Sequence, residues 1–323
     1  MTRTRIRRMG RAFGIVLILS VFLSGCSTVG YYMNLWQASR AGARYYRNYE
    51  PGVRDLAYTE TSEVELDVYS PETGSGHPVL VFIHGGGWNK YDKELFAPVA
   101  MQLVPRDMVV VIPDYTLHPD AGYEQMARET AAAVAWTFEN IADYRGDPEQ
   151  VVLSGHSAGG HLSGLVALDE RWLGEYGYEP ADLCGWVGLS GVYSADRQLA
   201  YEQESGGEAP VMTEVMGGRD NFPAASPESY VEAFARGGAA AGVEAAAGDA
   251  ALPRITLIHG AQDETVPVSM SEALAEAFAA EGVPVELKIY PESGHSDFLF
   301  DGLADENAPI LRDLSRAVGM CYN

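Results

Sequence analysis

The feature that most constrains this chain is a series of short, continuously apolar, β-branched runs, each separated from the next by a helix-patterned stretch. The runs are "PVLVFIHG" (78–85), "MVVVIPDY" (108–115) and "QVVLSG" (150–155), and "GWVGLSG" (185–191), "RITLIHG" (254–260) and "VELKIYP" (285–291) are later strands. Without polar alternation, such runs read as strands buried on both faces. Residues 94–104, 123–144, 268–282 and 303–318 read as helices between them, the second with a long apolar stripe, and one more helix is expected from about Ala158. Strands separated by helices specify the α/β class, with a mostly parallel central sheet and helices on both faces. Upstream, "SEVELDVYS" (62–70) alternates with period two, the pattern of a half-exposed strand. The rhythm breaks at residues 192–250, which show no clear strand and end in a Gly/Ala-rich stretch, 237–250, that predicts a loop. We read this region as a small cap-like insertion above the sheet's C-terminal edge, within one domain spanning 53–323.

"VVLSGHSAGGHLSG" (151–164) places three serines and two histidines in one strand-to-helix junction. Only Ser157 stands in a G-x-S-x-G pattern, Gly155-His156-Ser157-Ala158-Gly159. A bare match arises by chance in roughly one such chain in five on composition, so the weight comes from its place after a buried strand and before a helix. That turn strains the serine backbone, excludes bulk on either side and lifts the hydroxyl out at the sheet's edge. "HGGGW" (84–88) follows the first buried strand, where a glycine run lets main-chain amides approach an oxyanion closely. Gly86 and Gly87 are candidate donors there, with the amide of Ala158 as a third. Asp263 follows the strand in "LIHGAQDETVP", and His295 follows the next strand in "YPESGHSDF". Glu264 and Asp297 are neighbouring acids, but Asp263 lies closest to its strand end, ahead of the turn-forming Val-Pro. The order Ser157, Asp263, His295 suits nucleophilic catalysis: the serine attacks a carbonyl, the imidazole takes its proton, and the carboxylate fixes the tautomer. His84 and His161 read as structural groups. Trp88, Tyr115 and His156 are pocket candidates, with plain packing the alternative for the first two. The cysteines and scattered histidines have no metal-ligand spacing, and neither a metal nor an organic cofactor is expected.

From about residue 62 to 318 the chain resembles an α/β-hydrolase of the carboxylesterase/lipase group. The motifs carrying the likeness are "HGGGW", "IPDY", "GDPEQVVLSGHSAGGHL", "HGAQDETVP" and "SGH". They place it near the HGG-bearing branch of BD-FAE-type esterases, hormone-sensitive-lipase-like esterases, kynurenine formamidase and isoprenylcysteine methylesterase. Hormone-sensitive-lipase-like esterases usually carry Asp before the nucleophile and DYR after the strand. Here His156 and Asp114-Tyr115-Thr116 stand instead, which tilts the resemblance to the formamidase and methylesterase side. The resemblance implies an α/β-hydrolase fold and a serine carboxylesterase acting on a small-molecule ester, small or aryl. The alternatives are an arylformamidase-like amide hydrolase and a non-catalytic surface lipoprotein on the same fold.

The N-terminus reads as a processing signal. Five arginines precede the apolar run "AFGIVLILSVFL", too short to span a bilayer comfortably, and "LSGC" follows. This resembles a bacterial lipobox, which implies cleavage after residue 25 and acylation of Cys26. Residues 26–52 then form a Tyr/Arg-rich tether near the membrane. The expected location is the cell envelope, on the outer membrane or periplasmic face if the cell is Gram-negative. With three cysteines in all, Cys184 and Cys321 are left to pair or to stay reduced. Removing residues 1–25 takes five arginines and no acids from 22 basic and 45 acidic residues, so the net charge moves from −23 to −28. A surface this anionic argues against nucleic-acid partners.

Overall fold

The apolar runs form the middle of one eight-stranded sheet. The computed structural model describes residues 53–60, 62–240, 252–301 and 305–319. The expected leader, Cys26, the 26–52 tether and Cys321 lie outside the described residues. In chain order the strands are β1 (Val53–Ala57), β2 (Glu65–Tyr69), β3 (His77–Ile83), β4 (Val109–Pro113), β5 (Gly146–His156), β6 (Gly185–Leu189), β7 (Arg254–Gly260) and β8 (Val285–Tyr290). Across the sheet they run β1-β2-β4-β3-β5-β6-β7-β8. The pairs from β4 to β8 are parallel, and β2 pairs antiparallel with both β1 and β4.

The longer helices are α1 (Lys93–Leu103), α2 (Tyr123–Asn140), α3 (Ala158–Leu168), α4 (Ala195–Glu204), α5 (Val231–Ala240), α6 (Ser269–Ala280) and α7 (Pro309–Gly319). Successive side chains of a strand point to opposite faces, and the core divides accordingly. Val79, Val81 and Ile83 pack with α2, α3 and α6, whereas Leu80 and Phe82 pack with α1 and α7. Asp92 starts α1 by accepting a hydrogen bond from the Leu95 amide (3.1 Å). On α7, Ile310, Leu311, Leu314, Ala317 and Val318 form the buried stripe.

The chain leaves β3 for β4 on one side and returns to β5 on the other. This reversal opens a crevice at the C-terminal ends of β3 and β5, the place where open α/β sheets bind ligands. Residues 83 and 155 are register partners there.

Four sequence expectations need correction. Strand β1 was not anticipated, because "VRDLA" is short and mixed in polarity. β2 is not half-exposed: Asp67 is fully buried. Its carboxylate accepts from the Asp55 amide (3.0 Å) and the Tyr69 hydroxyl (3.1 Å), with Lys93 Nζ 3.4 Å away. The period-two pattern is present, but α1 covers the polar face and supplies a cation to it. Region 192–250 is helical as far as Ala240, so the first residues of the Gly/Ala-rich stretch complete α5, and 241–251 lie outside the described residues. The last helix begins at Pro309, later than expected, after a short helical turn at Asp297–Phe300. Cys184, left open from sequence, is disulfide-bonded, and the other two cysteines fall outside the described residues.

Candidate active site

Ser157 sits between β5 and α3 with φ 57° and ψ −119°, a region that costs a non-glycine residue energy. Contacts on both sides hold it there. A Cβ on Gly155 would fall on the Gly159 carbonyl oxygen, and one on Gly159 on the Ile83 carbonyl oxygen. The Ser157 amide donates to the Leu189 carbonyl of the neighbouring strand (3.0 Å). The hydroxyl is thus presented at the crevice although Ser157 is only 9% exposed.

The hydroxyl meets His295 Nε2 at 2.9 Å, and His295 Nδ1 lies 2.7 Å from Asp263 Oδ2. The loops after β7 and β8 bring these groups to Ser157 from across the sheet. Asp263 Oδ1 accepts from the amides of Thr265 and Val266, both at 2.8 Å. Burial pushes this carboxyl's pKa up, but the N–H donors of His259 and His295 more than offset that and hold it well below the usual carboxylate range. Neither neighbouring acid takes its place. Asp297 accepts from the Gly294 amide (2.8 Å), and Glu264 points into solvent.

The glycine run lines the same cleft. Gly86 and Gly87 have φ values of 134° and 57°, and both border the crevice with Ser157. His84 Nδ1 bonds the Gly85 carbonyl at 2.8 Å. The peptide is planar and trans, so pinning that carbonyl turns the Gly86 N–H the opposite way, away from the ring. Ala158 opens α3, where the first amides have no carbonyl one turn earlier to bond. His84 itself is enclosed between Tyr115 (4.5 Å, 17°) and Phe96 (5.7 Å, 22°), and burial lowers its pKa to about 4.

Two pocket candidates lie elsewhere. Trp88 is buried, and its indole N–H donates to His161 Nδ1 (3.2 Å). Tyr115 is buried beneath the loop, its hydroxyl donating to the His84 carbonyl (3.2 Å). Both support the glycine loop from below instead of walling the cleft. His161 Nε2 bonds the Ala225 carbonyl (2.7 Å), an interior role. His156 does border the cleft. Its ring packs on His295 (4.8 Å), its Nε2–H donates to the His295 carbonyl (2.8 Å), and burial, then the neighbouring His295, lowers its pKa to about 3.

Sequence reasoning missed the rest of the wall. The cleft has a volume of about 230 Å³, and its apolar side comes from Tyr91, Phe96 and Phe300. Asn89, Lys90, Thr265 and Ser296 complete the rim. These residues carry no motif, and only the loop paths bring them together. His259, a second partner of Asp263 at 3.1 Å, was also missed, although it stands four residues ahead in the same "LIHGAQDETVP" stretch. Among the described residues, no cluster of three or more His, Cys, Asp or Glu is placed to hold a metal.

A strained serine at a sheet's switch point, joined through an imidazole to a buried carboxylate and faced by a glycine loop, defines an α/β-hydrolase fold with the layout of a serine hydrolase. Comparison with known proteins narrows this. The chain belongs to the BD-FAE family, whose model matches residues 66–236. A dienelactone hydrolase family model also matches residues 216–309. Isoprenylcysteine α-carbonyl methylesterase of Arabidopsis thaliana is 28% identical over 81% of this chain and 60% of its own length. Esterase LipQ of Mycobacterium tuberculosis is 26% identical over 86% and 64%. The chain thus spans about three fifths of the length of the curated relatives it matches. Among solved structures, esterase B from Lactobacillus rhamnosis superposes with TM-score 0.66 at 19% identity, covering 91% of this chain and 96% of that one. The Thermogutta terrifontis esterase 2 structure gives TM-score 0.62 at 22% identity, over 83% and 92%. At such identities these two structures speak for the fold.

Proposed function

We propose that this chain is a serine carboxylic ester hydrolase acting on small or aryl esters. The observation that carries the reading is the unbroken hydrogen-bonded row from Ser157 through His295 to Asp263, opening into the cleft. Ser157 attacks the ester carbonyl while His295 Nε2 takes its proton. Asp263 keeps the imidazole in the tautomer that bears hydrogen on Nδ1 and stabilises the imidazolium that forms. The amides of Gly86, Gly87 and Ala158 receive the oxyanion. His295 returns the proton to the leaving alcohol, and water then cleaves the acyl-enzyme by the same route.

A cleft of about 230 Å³ is smaller than the roughly 300–1,000 Å³ typical of larger ligands, which favours a short acyl group or a compact leaving group. The methylesterase relatives support an ester over a formamide substrate. The wild-type protein is expected to hydrolyse p-nitrophenyl acetate and Ser157→Ala to lose that activity by at least about a thousandfold. Full turnover by Ser157→Ala would falsify the assignment. A parallel assay with N-formylkynurenine decides between ester and formamide.

We further propose that the mature protein is a lipoprotein of the cell envelope, held at the membrane through Cys26. The arginine-rich start, the short apolar run and LSGC support this, as does the disulfide at Cys184, a bond favoured in oxidising compartments. Cys26→Ser is expected to move the protein from the membrane fraction to the soluble one; retention at the membrane overturns lipidation as the tether.

A further inference from the structure

Asp263 Oδ2 accepts from two histidines. One is His295, and the other is His259, the penultimate residue of β7, which is fully buried. His259 Nε2 faces two acceptors, Asp263 Oδ2 at 3.1 Å and the Val266 carbonyl at 3.0 Å, so this nitrogen carries the hydrogen. His259 Nδ1 lies 2.7 Å from the hydroxyl of Ser271, itself fully buried on α6. A hydroxyl can donate to that nitrogen, and doing so fixes the ring in the tautomer that presents hydrogen to Asp263. The proposed catalytic row therefore continues past the carboxylate: Ser157, His295, Asp263, His259, Ser271.

We propose that His259 and Ser271 are positioning residues that hold the Asp263 carboxylate in place and set how strongly it binds the His295 ring. The inference rests on the esterase reading of the same site. A carboxylate with lone pairs taken by Thr265, Val266, His259 and His295 is fixed in orientation and its charge is shared. Withdrawing the His259 donor leaves more charge for His295. Its imidazolium form is then better stabilised, and the acid limb of the pH–rate profile moves upward. The hydrogen bonds to Oδ1 are unaffected, so the carboxylate keeps its anchor. The other titratable groups facing this array are His156 before the serine, Tyr193 after β6, Tyr201 on α4, and Glu264 and Asp297 in the flanking loops.

The test compares His259→Leu, His259→Gln and Ser271→Ala with the wild type. Leu fills the space without a donor, whereas Gln keeps an N–H at about the reach of Nε2. With p-nitrophenyl acetate as substrate, His259→Leu is expected to lower kcat about tenfold. The midpoint of its acid limb in kcat/KM is expected to rise by about half a pH unit. Ser271→Ala should shift the midpoint the same way by less, and His259→Gln should restore most of it. A purely structural role predicts lower thermal stability and lower kcat with an unmoved midpoint in all three, and that result overturns the inference. Should His259→Leu fail to fold, Ser271→Ala decides on the same criterion. A second readout needs no substrate: the low-field proton resonance of His295 Nδ1, followed with pH, should titrate at a higher midpoint in the variants. If wild type leaves the ester untouched, the esterase reading fails, while an unmoved resonance defeats the inference on its own terms.

Discussion

At Gly159 the requirement is geometric. A methyl group there would land on the Ile83 carbonyl oxygen, a strand atom that cannot retreat without disturbing β3. Gly159→Ala is therefore expected to destabilise the fold by about 1–3 kcal/mol and to lower turnover by displacing Ser157; a thermal melt and a kcat measurement check both, and an unchanged melt refutes the clash. Asp263→Asn keeps the size but only one of the two acceptor oxygens. An amide turns its NH₂ either toward His259 and His295 or toward the Thr265 and Val266 amides, all of them donors. We expect kcat to fall by about 10³–10⁴ and stability to fall by about 1–3 kcal/mol from the unpaired donors, measured by kinetics and a thermal melt. At this scale the sequence was informative where position follows from local order: Ser157, Asp263 and His295 each stand within a few residues of a strand end, and a strand end is readable from apolar patterning. For Trp88 and Tyr115 the sequence left pocket and packing open, because neighbours in sequence do not tell which way a side chain turns. Trp88 points down to His161, and Tyr115 lies under His84.

Among the elements, the edge formed by β1, β2 and the start of α1 depends on Lys93. Its ammonium lies 2.7 Å from Asp55, 3.4 Å from Asp67 and 3.8 Å from Asp114, with the lysine side chain almost wholly buried. Removing the cation takes the nearby positive charge from the fully buried Asp67 and from the partly buried Asp114. Lys93→Met is expected to cost about 3–5 kcal/mol, and adding Asp67→Asn should recover part of it. Chemical denaturation of the single and double variants measures this, and equal midpoints for Lys93→Met and wild type would exclude it. The same edge is where strand reading was weakest. The central strands announce themselves because both faces are apolar. β2 hides its burial behind an alternating pattern, since the acid on its polar face is neutralised by a lysine 26 residues further on. α5 was read partly as loop because alanine and glycine alone do not distinguish a helix end from a linker.

For the whole molecule, three buried histidines make stability depend on pH. Burial lowers His84 and His161 to about 4 and His156 to about 3, against about 6.5 in an unfolded chain. Between about pH 6.5 and 4 the unfolded chain takes up protons that the folded chain refuses, so their stabilisation is present above this window and lost as pH falls through it. Asp114, raised by burial to about 6, takes up its proton first in the folded state and opposes the loss, as does Asp67, also raised by burial. The net of one to two protons predicts a fall of roughly 1–3 kcal/mol per pH unit, seen as a melting temperature lower at pH 5 than at pH 7.5; a rise on acidification contradicts it.

The sheet order also sets a timetable. Ser157 follows β5, near the middle of the chain, while His295 follows β8, the edge strand and the last to be made. A polypeptide emerging from its N-terminus carries Ser157 and the glycines of residues 85–87 for well over a hundred residues before His295 exists. During synthesis the chain carries the proposed nucleophile before its proposed base. The proposed triad is complete only in a chain whose β8 is paired with β7, so closing the sheet and assembling the site go together.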